Sequence, residues 1–249
     1  MAGRQRSTPQ PPRTREEAER LLCEGEFNSI EIIPWASNYT FAATLSLPEG
    51  ATYVGIYKPL RGEIPLYDFP DGTLYRREVA AYRACRALGW DLIPLTVVRS
   101  GPHGVGSLQL FVEADAGWDV LYGESDEHDL QRLVMFDFLT NNADRKAGHV
   151  LRSHDGRIWA IDHGLTFNEE PKLRTVLWQF QGQPIPDDLM TELEDFGTDP
   201  RRPCELRVEL EQLLEPVEVD GFFARLDRVL ARRRFPAPTN RRHVPWPLY

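Results

Sequence analysis

Apolar and polar residues alternate along several short runs in the first half of the chain, with the period of two that is typical of β-strands. A short helix is predicted before them, over Arg15–Cys23. A second helix is predicted between Thr73 as its N-cap and Gly89 as its stop, because apolar residues recur there with a helical period. The predicted strands cover residues 29–33, 39–47, 53–58, 95–99 and 107–112.

The second half of the chain has mainly helical periodicity. An apolar stripe runs from Asp129 to Asn142, and two strands at 149–153 and 157–161 flank an Asp155-Gly156 turn signal. Later helices are predicted over residues 187–195, 204–215 and 220–234. The predicted fold class is therefore α+β, with a small β-rich N-lobe at 15–112 and a mainly helical C-lobe at 113–235.

The charge of the chain is unevenly distributed. Of its 249 residues 41% are hydrophobic, which is enough for a sizeable core, and the net charge is −9. Residues 1–15 carry four arginines and no acid, and residues 231–249 carry five arginines and no acid. Without these nine positive charges, residues 16–230 stand at about −18. A body this acidic does not suit nucleic acid, so no nucleic-acid partner is expected.

The two ends are expected to be solvated tails, a disordered basic one at 1–14 and a Pro/Arg-rich one at 236–249, although either could contact an anionic partner. No apolar run approaches the roughly 20 residues of a transmembrane helix, and the first residues lack the apolar core of a secretory signal. The three cysteines have no metal-ligand spacing. These features predict a cytoplasmic protein with reduced thiols and no transmembrane segment.

Two carboxylates, Asp144 and Asp162, flank the predicted hairpin, and folding the hairpin brings both to its open end. One could then orient or deprotonate an acceptor hydroxyl while the other holds a metal ion on a phosphate. Each also has a plainer role, Asp144 in a loop that ends a helix and Asp162 as the cap of a turn. Together they indicate phosphoryl-transfer chemistry.

A strand lysine (Lys58), a helix glutamate (Glu78), Asp144-Arg145 and Asp162-His163-Gly164 follow one another in the order of the protein-kinase-like superfamily. Over residues 25–235 the chain resembles its atypical branch, the phosphatidylinositol 3-/4-kinases and related actinobacterial kinase-like proteins. The resemblance implies a bilobal protein-kinase-like fold that binds a nucleotide, ATP, together with Mg²⁺ or Mn²⁺.

Lys58 and Glu78 are the candidate nucleotide residues that this resemblance supports. Strand alternation places Lys58 on one face with Val54 and Ile56, where the family's lysine reaches the α- and β-phosphates. Glu78 lies on the buried face of its helix, and a buried charge needs a partner. Lys58 is the predicted partner, and an arginine of the same helix is the alternative.

The resemblance further implies that Asp144 acts on the acceptor with Arg145 supporting its loop, and that Asp162 binds the metal. His149 stands where the family usually places a metal-binding asparagine. Because imidazole suits Mn²⁺ or Zn²⁺ better than Mg²⁺, His149 is a candidate ligand for a softer metal, a donor to a phosphate, or simply a packed side chain.

The chain departs from the family in its phosphate loop, since no Gly-rich loop precedes Lys58. The hydroxyl of Ser37 and the amide of Asn38 are candidate phosphate contacts in its place. Glu113 follows the run 108–112, which is predicted to enter the interlobe hinge and read adenine through its backbone. Packing of a core strand explains that run almost as well.

Three functions are compatible with these residues. The leading one is an ATP- and metal-dependent phosphotransferase whose acceptor is a lipid, a protein or a small molecule. The second is a pseudokinase-like nucleotide-binding regulatory module, which His149 and the missing loop favour. The third is a metallohydrolase with Asp144, His149, Asp162 and His163 as ligands, and it leaves Lys58 and Glu78 unexplained.

Overall fold

The computed structural model describes residues 12–34, 38–48, 50–124, 126–238 and 242–249. These residues fall into two compact units. The first consists of the described residues up to Pro65 together with Leu95–Phe111, and the second of Leu66–Pro94 together with Val112–Tyr249. The first unit is built on a sheet and the second is mainly helical, which confirms the predicted α+β class.

A five-stranded antiparallel sheet forms the first unit, with the strand order β1-β2-β3-β5-β4. Helix α1 (Arg15–Glu24) precedes it as predicted. Each predicted strand is present, with ends that differ by a few residues. The strands are β1 (Glu26–Ile32), β2 (Phe41–Ser46), β3 (Thr52–Pro59), β4 (Thr96–Gly101) and β5 (Gly104–Leu110).

Gly55 allows β3 to lie in the middle of this sheet. A β-carbon at this position would lie 2.8 Å from Cδ1 of Leu108, which is closer than side chains approach one another. Tyr57 is fully buried on the same face as Gly55. The opposite, half-buried face carries Val54, Ile56 and Lys58, so the predicted alternation is confirmed.

Helices dominate the second unit around one apolar core. They are α2 (Leu74–Ala87), α3 (Glu127–Leu139), α4 (Asp187–Thr198), α5 (Arg201–Glu211) and α6 (Pro216–Arg232). The sequence placed α2 in the N-lobe, but its buried face packs against α5 and it belongs to the second unit. Strands β6 (Val150–Arg152) and β7 (Ile158–Ala160) form the predicted hairpin. No helix in the described ranges is long and apolar enough to cross a membrane.

Capping chemistry explains where α6 begins, and α2 begins directly after Thr73 as predicted. Helix α6 begins at Pro216 instead of residue 220, because Glu215 and Glu218 form a reciprocal cap and proline suits the first helical position. Thr73 makes no side-chain cap for α2, and its hydroxyl donates to the carbonyl of Pro70 at 2.7 Å instead. Gly89, with φ of +80°, follows α2 as its predicted stop.

The predicted tails differ from one another. Most of residues 1–14 lie outside the described residues. Residues 242–249 are described, and they lie against the second unit with Pro245 buried. The expectation of a solvated tail at 236–249 is therefore wrong for this part, because its backbone carbonyls accept hydrogen bonds from the second unit.

Candidate active site

The loop after α3 carries Asp144 and is fixed by two asparagines. Asn141 has a φ of +52°, a left-handed conformation that asparagine adopts more readily than most residues. The amide of Asn142 donates to Oδ1 of Asp137 at 3.0 Å and accepts from the backbone N–H of Asp144 at 2.9 Å. The polar residues that end the helical stripe thus set the position of Asp144.

Asp144 is half-buried beside a cation. Its Oδ2 lies 3.1 Å from Nζ of Lys146. Burial raises the pKa of Asp144 above its usual range and outweighs Lys146, which lowers it, while the charge of Asp162 adds to the rise. A carboxylate with a raised pKa is a better proton acceptor, so this environment suits a general base.

Arg145 is fully buried and connects the loops around the hairpin. Its Nε lies 2.9 Å from Oδ2 of Asp137, which is also fully buried. Its Nη1 donates to the carbonyls of His149 at 3.1 Å and Ile161 at 2.8 Å, and its Nη2 lies 2.7 Å from Nε2 of His163. One guanidinium therefore holds the residues on both sides of the hairpin's open end.

Asp137 is a site residue that sequence reasoning missed. It lies on α3 among buried residues that include Leu133 and Phe136. An acid within such a stripe indicates a buried charge that needs a partner. This signal is present in the sequence, but it does not say which cation supplies the partner.

His149 lies between the two carboxylate residues. Its Nε2 is 3.3 Å from Oδ2 of Asp162, and its Nδ1 is 3.0 Å from the carbonyl oxygen of Asp144. Because a carbonyl only accepts, Nδ1 carries a proton and Nε2 faces Asp162. His149 ends a single 3-10 turn, Ala147–His149, instead of opening β6 as predicted. The hairpin still brings Asp144 and Asp162 to its open end, as predicted.

Asp162 combines an unusual backbone with an accessible carboxylate. Its φ is +59°, a left-handed conformation that costs a non-glycine residue about 1 kcal/mol or more. Its side chain keeps 41% of its surface exposed. Strain of this kind clusters at functional sites.

Glu78 reaches the same loop from α2. Its side chain is buried, as predicted, and its Oε2 accepts a hydrogen bond from the backbone N–H of His163 at 2.9 Å. Arg77, one of the alternative partners, binds the carbonyl of Thr166 and the carboxylate of Glu218. The pairing of Glu78 with Lys58 stays a prediction.

The other predicted nucleotide residues are distributed over both units. In the first unit Lys58 is half-buried near the end of β3, in register with Ser107, and Asn38 accepts a hydrogen bond from the backbone N–H of Ile64 at 3.0 Å. Ser37 lies outside the described residues. Glu113 is exposed in the second unit, after β5. Their contacts with a nucleotide stay predictions.

The donor set at His149 and Asp162 fits a metal ion that arrives with a nucleotide. Mg²⁺ usually takes one or two protein ligands and completes its shell with water and phosphate oxygens. A ligating histidine typically donates its other ring N–H to a carbonyl, as His149 does. Among the described residues no group of three or more His, Cys, Asp or Glu could hold a metal, and His163 is buried against Arg145. A metallohydrolase cluster is therefore disfavoured.

The chain is similar over most of its length to a mycobacterial protein. No protein-family model matches it. Protein Rv2133c of Mycobacterium tuberculosis is 34% identical over an alignment 271 positions long. The alignment covers 94% of this chain and 96% of that protein. Phosphatidylinositol 4-kinase gamma 4 of Oryza sativa subsp. japonica is 32% identical over 127 residues, 43% of this chain but only 22% of the rice protein.

Solved kinase structures share the fold. The hydra Fam20 structure with sugar has a TM-score of 0.62 at 13% identity and covers 88% of this chain and 89% of its own. The Golgi casein kinase has a TM-score of 0.58 at 14% identity, with 88% and 74% covered, and the Helicobacter pylori proinflammatory kinase CtkA has 0.53 at 12%, with 85% and 94% covered. These likenesses confirm a kinase-like fold, while the narrower resemblance to phosphatidylinositol 3-/4-kinases stays a prediction.

Proposed function

The chain belongs to the family of Protein Rv2133c from Mycobacterium tuberculosis, and we propose that it is an ATP- and divalent-metal-dependent phosphotransferase. Its kinase-like fold supports phosphotransfer in general. Phosphoryl transfer depends chiefly on positioning and on stabilisation of charge. The work of the protein is therefore to hold nucleotide, metal and acceptor in one geometry.

In this proposal the second unit supplies the chemistry. Asp162 and His149 would hold the metal ion, and its charge would offset negative charge on the phosphates. Asp144 orients the acceptor hydroxyl and takes its proton. Arg145 does not touch the reacting atoms, and it positions the loops that carry both carboxylates.

The phosphates of the nucleotide contact charged and polar side chains in this proposal. Lys58 contacts the α- and β-phosphates. Asn38 and Ser37 contribute polar contacts to the phosphates, and the chain around Glu113 receives the base. ATP is the nucleotide and Mg²⁺ or Mn²⁺ the metal.

One observation carries the proposal, namely that the imidazole of His149 contacts both Asp144 and Asp162. Its Nδ1 lies 3.0 Å from the backbone carbonyl of Asp144 and its Nε2 lies 3.3 Å from the carboxylate of Asp162, and the charge of Asp162 contributes to the raised pKa of Asp144. Two carboxylates in different environments are what a base and a metal ligand require.

The same contact favours a second candidate function. If the ring of His149 is protonated on both nitrogens, its contact with Asp162 is an ion pair, and that pair competes with a metal for the carboxylate. The protein would then be a pseudokinase-like module that binds nucleotide and regulates a partner without phosphotransfer.

The proposed acceptor is a hydroxyl of a lipid, a protein or a small molecule. The partial likeness to the rice phosphatidylinositol 4-kinase makes inositol lipids the first acceptors to test. A cytoplasmic location goes with the proposal, because the three cysteines of the chain are free.

Nucleotide-dependent stabilisation tests the proposal. ATP with Mg²⁺ or Mn²⁺ should raise the melting temperature, since a ligand that binds only the folded state at 100 times its Kd adds about 2.7 kcal/mol. Asp162→Asn should reduce this shift, whereas Asp155→Asn, at the turn end of the same hairpin, should not. Turnover is then followed with separate detection of ADP and pyrophosphate. No shift with either metal at millimolar ATP would contradict both candidate functions.

A further inference from the structure

Residues 242–249, here named the strap, bind the rest of the second unit at both ends. At one end the carbonyl of His243 accepts hydrogen bonds from the backbone N–H of Thr175 at 3.1 Å and from Nε1 of Trp178 at 2.9 Å. In the middle, Pro245 is buried. The strap is therefore attached by its backbone and by one apolar side chain.

The other end of the strap binds the loop that carries Asp144. The carbonyl of Leu248 accepts from the backbone N–H of Ala147 at 2.8 Å, and the hydroxyl of Tyr249 donates to Oδ2 of Asp119 at 2.8 Å. Ala147 is three residues after Asp144, and three residues span at most about 11 Å. The strap thus touches the loop within that distance of the proposed base.

The first attachment point is also connected to this loop. Thr175 lies in the segment 174–176, which pairs with the loop through Arg145. The backbone N–H of Arg145 donates to the carbonyl of Arg174 at 3.0 Å, and that of Val176 donates to the carbonyl of Arg145 at 3.1 Å. Loop, segment and strap therefore lie side by side.

Three of the four hydrogen bonds described above run from two backbone N–H groups and an indole N–H to backbone carbonyls of the strap, and the fourth runs from the hydroxyl of Tyr249 to Asp119. Such a surface recognises a polypeptide mainly through carbonyls of its main chain. The side chain of Trp246 contributes little to this attachment, because it is 89% exposed.

We infer that this surface is a docking site for a polypeptide segment, that the strap fills it in cis, and that a polypeptide acceptor reaches Asp144 only when the strap has left. Only one part of this inference, the role of Asp144, rests on the proposed function. A tethered segment acts at an effective concentration of roughly millimolar, so a free peptide at micromolar concentration does not displace it.

Two full-length variants test the docking site. The double variant Pro245→Asp/Tyr249→Ala places a charge at the buried position and removes the hydroxyl contact with Asp119, so it releases the strap. Trp246→Asp places the same charge at an exposed position and is the matched control. Amide hydrogen exchange at Ala147 and Thr175 should become about tenfold faster or more in the double variant and stay unchanged in the control. Continued protection of both amides in the double variant would overturn the inference.

The docking site itself is tested with the synthetic octapeptide of residues 242–249, labelled and followed by fluorescence anisotropy. The double variant should bind it in trans, and wild type and Trp246→Asp should bind it at least tenfold more weakly, since their docking site is filled. Equal binding by all three proteins would overturn the inference. So would a double variant in which the amides of Ala147 and Thr175 exchange faster but which does not bind the peptide. Neither measurement uses ATP, so a failure of the proposed phosphotransferase function would be seen separately, in the nucleotide-dependent melting shift.

Discussion

Asp137 and Arg145 form an ion pair in which both side chains are fully buried, with Nε and Oδ2 2.9 Å apart. Removing one partner of a buried pair leaves an uncompensated charge and costs about 3–5 kcal/mol. We expect Asp137→Ala to lower the free energy of unfolding by that amount in a denaturant titration. Asp91→Ala, which breaks the exposed pair with Arg157 at 3.1 Å, should cost no more than about 1 kcal/mol. Similar losses in the two variants would contradict this account of the site.

The identity of the metal is predicted to depend on His149. Because imidazole is a poorer ligand for Mg²⁺ than for Mn²⁺, wild type should bind or turn over ATP with Mn²⁺ at least as well as with Mg²⁺. His149→Asn supplies an amide oxygen and should restore a preference for Mg²⁺. Nucleotide affinity measured with each metal decides the matter. A wild type with a strong preference for Mg²⁺, unchanged by the substitution, would show that His149 is not a ligand.

Substitutions of Asp144 and Asp162 are predicted to have different effects on nucleotide binding and turnover. Asp162→Asn should weaken binding of the metal–nucleotide complex and abolish turnover. Asp144→Asn should leave nucleotide binding nearly intact and lower turnover by roughly 10²-fold or more, the scale expected for a positioned base. Binding and turnover are measured in parallel, with Asp155→Asn as the control. If wild type binds ATP without transferring phosphate and Asp144→Asn changes nothing, the pseudokinase-like function replaces the proposed one.

The cysteines are predicted to react in two classes. Cys23 and Cys204 are exposed, whereas Cys85 is buried and burial raises the pKa of its thiol to about 12. Only a thiolate is a good nucleophile, so at pH 8 Ellman's reagent should modify Cys23 and Cys204 in the native protein and Cys85 only after unfolding. Cys204→Ser should leave Cys23 as the accessible thiol, and its reaction should be slowed because desolvation and the charge of Glu19 raise the pKa of Cys23. Rapid native labelling of Cys85 would contradict its burial against the carbonyl of Trp90.

Features that depend on local periodicity could be predicted from the sequence. Alternation placed Lys58 on the face of Val54 and Ile56, and the spacing of apolar residues on α2 turned Glu78 inward. The Asp-Gly turn signal located the hairpin that brings Asp144 and Asp162 together. These predictions hold because each depends on residues that are close in sequence.

Features that depend on the choice among distant partners could not be predicted. The cation that pairs with Asp137 is selected by tertiary structure. From the sequence alone, several arginines were equally good candidates for this partner. The strap has the basic, proline-rich composition of a solvated tail, and it binds mainly through backbone carbonyls, which every residue possesses. No residue type in the sequence marks such contacts.

The hydrogen bond from the backbone of His163 to Glu78 links the orientation of a helix to the shape of the loop that carries Asp162. If α2 turned about its axis, a buried N–H beside Asp162 would lose its acceptor, and an unpaired buried donor costs about 1–3 kcal/mol. The left-handed backbone at Asp162 would lose one of its restraints at the same time. By thermodynamic reciprocity, a ligand that fixes the Asp162 loop also favours the inward orientation of α2, to the same extent that this orientation favours the ligand.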